Sequence, residues 1–257
     1  MLPLALDRGR RPLLLAHRGA CVERPENTAE AFRLALERGA DGVELDVRLC
    51  ASGEPVVVHD ADLSRIAGQP VRIARAPWSV LRGLDVGSWF HPRFSGARLL
   101  TLPEALEVLG PTAIVNVELK GDGEPSLAEI VARSLAGAPA PERFLVSSFQ
   151  PLLLARFRAR LSGCPRGRRP SIGLLFESEK APAVGWALAG RALGAASLHP
   201  ARELCRGRRV RRWTRAGFAV VPWTVDDPAA ALALWEAGAR GFITNRPGDL
   251  AGLWGSR

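Results

Sequence analysis

Residues 42–47 read Gly42-Val43-Glu44-Leu45-Asp46-Val47. The alternation has period two: Val43, Leu45 and Val47 point one way, Glu44 and Asp46 the other. Such a stretch is either a strand with one face in solvent or a buried strand whose carboxylates have partners, because an unpaired buried carboxylate is costly. A second stretch favours partners. Val115-Asn116-Val117-Glu118-Leu119-Lys120 has the same design, with Glu118 and Lys120 one apolar residue apart. Three carboxylates from two strands can converge on one hard cation, since oxygen donors suit Mg2+ or Ca2+.

Outward from these stretches the chain alternates strand and helix patterns. Leu13-Leu14-Leu15-Ala16 is a short apolar run of the kind buried on both faces, and it ends in His17-Arg18-Gly19. Asn27, with Glu30 three residues on, reads as a capping box for a helix that buries Phe32, Ala35 and Leu36. Beyond Val47, Ala51 to Pro55 form a tight turn before Val56-Val57-Val58-His59. Five turn residues cannot carry a parallel crossover, so 56–59 is expected to pair antiparallel with the preceding strand and return His59 to Asp46. Residues 61–100 are punctuated by glycine and proline and read as a folded excursion over one end of the domain, a long loop of the kind that is usually functional.

Thr101 and Glu104 form a second capping box. Without the hairpin strand, the strands fall at 13–16, 43–47, 114–119, 144–148, 172–176, 196–198, 219–224 and 241–244. Eight strands with helical patterns between them, at ~250 residues, predict a (β/α)8 TIM barrel carrying an added antiparallel strand and an irregular insertion at about 61–100. The expectation is one domain over 1–257, with its core at about 12–250. A doubly wound sheet is the alternative, but no glycine-rich dinucleotide fingerprint follows the first strand.

The chain has 257 residues, 47% of them hydrophobic, and carries a net charge of +9. The cations are nearly all Arg, with Lys only at 120 and 180, and the basic runs at 8–11, 166–169 and 206–212 lie apart. They read as solvated surface. No basic stretch is interleaved with aromatics, so no nucleic-acid partner is expected. Cys21, Cys50, Cys164 and Cys205 form no CxxC, which suits reduced thiols in the cytoplasm. No secretory pattern opens the sequence and no apolar run reaches ~18 residues, so no stable membrane insertion is expected.

In a parallel barrel the chemistry sits at the C-terminal ends of the strands. His17, Arg18, Asp46, Glu118, Lys120, Ser148, His199 and Trp223 all fall there, Glu44 lies one alternation below Asp46, and His59 returns through the hairpin. The set amounts to a cation site with two bases and two extra positive charges. That combination suits a phosphate ester, whose oxygens need neutralising while protons move. Asn27, Trp223, Ser148 and His199 are further candidates for substrate contact.

His17-Arg18-Gly19, Pro25-Glu26-Asn27-Thr28, Glu44-x-Asp46, His59-Asp60 and Glu118-x-Lys120, in this order, resemble the glycerophosphodiester phosphodiesterases. Gly87-Ser88-Trp89-Phe90 and Thr244-Asn245-x-Pro247 are similar too. The resemblance implies a TIM barrel that hydrolyses a small glycerophosphodiester to sn-glycerol 3-phosphate and an alcohol. It implies Glu44, Asp46 and Glu118 as ligands of one divalent cation, His17 and His59 as acid and base, and Arg18 and Lys120 on the phosphate. The family in turn resembles phosphatidylinositol-specific phospholipase C, which implies attack by a substrate hydroxyl. Alternatives are a lysophospholipase D-like activity, which needs a broad apolar groove, and a non-catalytic anion-binding barrel.

Overall fold

The first strand, β1 (Leu13–His17), lies between the second and the last strands of one sheet, and this placement sets the architecture. The computed structural model describes residues 6, 11–121, 126–165, 167–178 and 183–254. Arg8 to Arg10, Arg166 and Lys180 fall outside the described residues. After α1 (Ala29–Glu37) come β2 (Gly42–Leu49), β3 (Pro55–Val57), the short helices α2 (Ser64–Ala67) and α3 (Trp78–Leu81), β4 (Leu100–Thr101) and α4 (Leu102–Leu109). Strict alternation follows: β5 (Ile114–Leu119), α5 (Ser126–Ala136), β6 (Phe144–Ser148), α6 (Pro151–Arg160), β7 (Ser171–Phe176), α7 (Ala183–Leu193) and β8 (Ser197–Pro200). The chain closes with α8 (Gly207–Arg215), β9 (Ala219–Val220), α9 (Pro228–Glu236), β10 (Gly241–Thr244) and α10 (Pro247–Ala251).

Parallel pairing runs in the order β10-β1-β2-β5-β6-β7-β8-β9. The two ends meet: Arg240 N–H donates to Val220 O (2.8 Å) and Ile243 N–H to Pro222 O (3.0 Å). The eight parallel strands expected from the sequence therefore form a barrel. Only β9 is much shorter than expected, because Pro222 has no N–H to give to the ladder. Val43, Leu45 and Val47 pack outward with Phe32 and Ala35 of α1 and Leu102, Ala105 and Leu109 of α4. Leu36, expected on the buried face of α1, is only half-buried, and Leu34 is buried instead. Inside the ring, Leu13, Leu15, Ile114, Leu145, Ala219, Val221 and Ile243 form an apolar plug.

The hairpin is as expected. Val47 pairs antiparallel with Val57, and Val58 N–H donates to Asp46 O at 2.9 Å, which brings His59 to the barrel rim. Unexpected from the sequence is β4, which pairs with β3 and widens the hairpin to an antiparallel ribbon. The excursion between them has its own small core, in which Val56, Val58, Leu63, Ile66, Leu81, Val86 and Leu99 are buried together. The capping box at Thr101 and Glu104 is present. The first capping box is not. Asn27 has φ +58°, a left-handed backbone, so Thr28 caps α1 by accepting from Ala31 N–H.

Candidate active site

Glu44, Asp46 and Glu118 point into the barrel mouth at 3%, 1% and 7% exposure, which rules out a solvent-facing strand. Their register explains the convergence: Asp46 pairs directly with Glu118, and His17 with Glu44. One ligand oxygen from each carboxylate lies within 4.8 Å of the other two. Oxygens ~2.0–2.6 Å from a shared cation would be separated by no more than about 5 Å, so the trio has the right spacing for one ion.

The charges point the same way. Burial, then the neighbouring Asp46 and Glu118 charges, push the Glu44 carboxyl well above the ordinary range. Burial and Asp46 raise Glu118 to about 7. Burial also works against ionisation of Asp46, but Lys120, Arg18 and His59 outweigh it and hold that carboxyl low. Lys120 Nζ lies 2.7 Å from Glu118 Oε1 and 3.3 Å from Asp46 Oδ1, and Arg18 Nε lies 3.3 Å from Asp46 Oδ2. Two side-chain cations do not balance three carboxylates plus an incoming phosphate. A hard divalent cation would, and the all-oxygen donor set fits it.

Both histidines have a defined orientation. Asn245 Nδ2–H donates to Asp226 (2.8 Å), which fixes its amide so that Oδ1 faces His17 Nδ1 at 2.7 Å. The His17 proton therefore sits on Nδ1, leaving Nε2 as acceptor, 4.0 Å from Glu44. His59 Nδ1 lies 2.7 Å from Asp60 Oδ1, a carboxylate that can only accept, so Nε2 is again the acceptor. Burial, and next to it the positive charge of Arg18, lower the pKa of His17. For His59 burial is likewise the leading cause, with Arg18 and Lys120 also lowering it.

Arg18 has φ +56°; its backbone N–H donates to Glu44 O and its Nη1 to Glu26 Oε1 at 3.0 Å. Asn27, also left-handed, is 4% exposed and donates from Nδ2 to Asp46 Oδ2 at 3.0 Å. Trp223 is half-buried, donates from Nε1 to His199 O, and meets Phe149 edge-on at 5.5 Å. It lines a cavity of about 630 Å³ with Asn245, Asp226, Arg202 and Glu203. Ser148 and His199 are both fully buried, Ser148 at the edge of a cavity that Glu118 and Lys120 also line. Ser148 donates to Leu119 O and accepts from Gln150 N–H. His199 is 0% exposed, bonded to Ser197 and seated over Gly173, where a Cβ would lie 2.6 Å from the ring. Burial pushes its pKa down to about 3.

A barrel with two half-buried histidines, three buried carboxylates and two side-chain cations at its C-terminal rim defines an α/β-barrel enzyme. The model of the glycerophosphoryl diester phosphodiesterase family matches residues 17–249, and the chain belongs to that family. It is 32% identical over 244 residues to a glycerophosphodiester phosphodiesterase of Caldanaerobacter subterraneus, covering 94% of this chain and 97% of that one. It is similar to a phosphodiesterase of Oleispira antarctica solved with the product sn-glycerol 3-phosphate: TM-score 0.84, 28% identity, 93% of this chain and 95% of that one. Similarity to a Thermotoga maritima glycerophosphodiester phosphodiesterase has a TM-score of 0.76 at 27% identity, over 96% of this chain and 100% of that one.

A pH prediction arises from the carboxylates. As a cation ligand Glu118 would have to be ionised, so a carboxyl raised to about 7 would make affinity fall as pH falls. Between pH 8 and pH 6 the dissociation constant for Mg2+ or Ca2+, read by titration calorimetry, is expected to rise on the order of tenfold from this group alone. Without cation, the raised carboxyl stabilises the fold below the unfolded value and loses that stabilisation as pH rises through about 7. Glu118→Gln should flatten both trends. Equal pH slopes in the two proteins would mean that this carboxylate is not a ligand.

Proposed function

We propose that the whole chain acts as one domain that hydrolyses glycerophosphodiesters to sn-glycerol 3-phosphate and an alcohol, with one divalent cation, Mg2+ or Ca2+. The observation that carries this reading is the pair of imidazoles, each oriented to present Nε2, beside three buried carboxylates and two cations. Glu44, Asp46 and Glu118 would hold the cation, which when bound neutralises phosphate oxygens and makes an oxygen ligand more acidic. Arg18 and Lys120 hold the phosphate from two sides, the guanidinium as a fork and the ammonium as a point charge. Asn27 steadies Asp46 through its amide. Trp223 forms one wall for the substrate.

One histidine takes the proton of the glycerol 2-hydroxyl as that oxygen attacks phosphorus. The other, which takes up a proton at Nε2 from solvent as the anionic ester binds, delivers it to the departing alcohol oxygen. The roles then reverse: water gives up a proton, attacks the cyclic phosphate and opens it to sn-glycerol 3-phosphate. The cavity beside Trp223 is lined by Glu177, Arg202, Glu203, Asp226 and Asp227, polar walls that suit a deacylated substrate better than an acyl chain. Four unpaired thiols fit a cytoplasmic setting. Among the described residues no helix is long and apolar enough to cross a membrane.

The test is release of glycerol 3-phosphate from glycerophosphocholine, with and without chelator. Activity that disappears with chelator and returns with Mg2+ or Ca2+ is the expected result. Undiminished turnover in cation-free buffer would overturn the role of the carboxylates, and no release under any condition would overturn the substrate.

A further inference from the structure

We propose that Arg65, on the helix Ser64–Ala67 of the 61–100 insertion, is a positioning residue that holds both the phosphate-gripping arginine and one of the two histidines; the inference rests on the reaction proposed above. Each of its three guanidinium nitrogens donates a hydrogen bond. Nη1 and Nη2 donate to the two oxygens of Glu26 at 2.9 and 2.7 Å, and Nε donates to Asp60 Oδ2 at 2.7 Å. The two carboxylates lead to different groups. Glu26 Oε1 also accepts from Arg18 Nη1, and Asp60 Oδ1 accepts from His59 Nδ1. One planar cation therefore joins the residue that grips phosphate to a residue that moves a proton.

A surface ion pair is worth little on its own, and the Arg65 side chain is 42% exposed. Here the partners are better enclosed, Glu26 at 12% and Asp60 at 27%, and the Arg–Glu contact is bidentate. The insertion also fixes Arg65 from outside, with the Trp89 ring 5.2 Å from the guanidinium carbon. Trp89 is held in turn: its Nε1 donates to Val86 O, and Asp85 accepts from Gly87 N–H, Ser88 N–H, Ser88 Oγ, Ser95 Oγ and Gly96 N–H. The Gly87-Ser88-Trp89-Phe90 stretch is thus linked through Arg65 to Glu26 and Asp60.

The two branches predict separable kinetics. Arg65→Met is expected to lower kcat/KM by ~10–10²-fold, the cost of small misplacements around a reacting centre, with KM raised and kcat lowered together. Glu26→Gln should act mainly on KM and on the inhibition constant of inorganic phosphate. Asp60→Asn should act mainly on kcat. In the Arg65→Met background each of these should cost less than it does in the wild type, the signature of a shared network. Trp89→Ala should move kcat/KM the same way by about two- to five-fold, the size of an exposed cation–π contact. If Arg65→Met does not fold, Arg65→Lys, which keeps the charge but loses the fork, should still raise KM and lower kcat.

A purely structural ion pair would lower Tm and leave the kinetics and phosphate inhibition of the folded fraction unchanged; that result, or strictly additive effects, overturns the proposal. Loss of glycerol 3-phosphate release by the wild type would instead overturn the reaction itself.

Discussion

A glycerophosphodiester lacking the glycerol 2-hydroxyl is expected to bind nearly as well as the natural substrate and to turn over at least ~10³-fold more slowly. The reason is the advantage of an internal nucleophile: a well-placed hydroxyl has an effective concentration of ~10⁵–10⁸ M, far beyond that of water. In the proposed site binding should survive because Arg18, Lys120 and a cation on Glu44, Asp46 and Glu118 would hold the phosphate whether or not that hydroxyl is present. The 2-deoxy compound is tested twice, as a competitive inhibitor and as a substrate. An inhibition constant near the substrate KM, with turnover close to background, supports internal attack. Cleavage at the normal rate means that water attacks phosphorus directly and no cyclic phosphate forms.

His17→Ala and His59→Ala should each lower kcat by the ~10²–10⁴-fold typical of a lost general acid or base. Burial lowers the pKa of both rings in the unliganded site, so the ring that acts first as base is ready to accept a proton, while the other takes one up when the anionic ester binds. A leaving group that needs no proton, such as p-nitrophenolate, separates the roles. The variant missing the residue that protonates the leaving alcohol should recover most of its first-step rate with that substrate. The variant missing the initial base should not. Equal recovery of both, or of neither, would mean that the two rings do not divide the work as proposed.

Much of this was legible in the sequence because the barrel imposes periodicity on it. Glu44, Asp46 and Glu118 alternate with apolar residues that bind the outer helices, a pattern that set three carboxylates on one face, and its recurrence in two strands favoured the inward reading. His59 was reachable because the Ala51–Pro55 turn is too short for any path but a hairpin. What stayed hidden depended on backbone angles and depth. Asn27 and Thr28 are both good caps, and only the left-handed φ of Asn27 gives the cap to Thr28 and the amide to Asp46. Ser148 and His199 sit at strand ends and are fully buried, a depth that strand-end position alone does not reveal. Arg65 lies in an irregular stretch with no period to mark it, and its role depends on Glu26, which meets it only in three dimensions. Asn245 and Asp226 could have been suspected as polar residues at the ends of the last two strands.

The bond between His17 and Asn245 joins residues 228 apart, from the first strand and the segment just after the last. During synthesis, Glu44, Asp46 and Glu118 are all available once β5 has left the ribosome. Asn245 emerges only after β10, the last strand of the ring. A growing chain could therefore gather its three acidic side chains early, yet could not fix the tautomer of its first imidazole until the ring of strands was complete. The orientation of that imidazole is thus settled only when β10 docks beside β1.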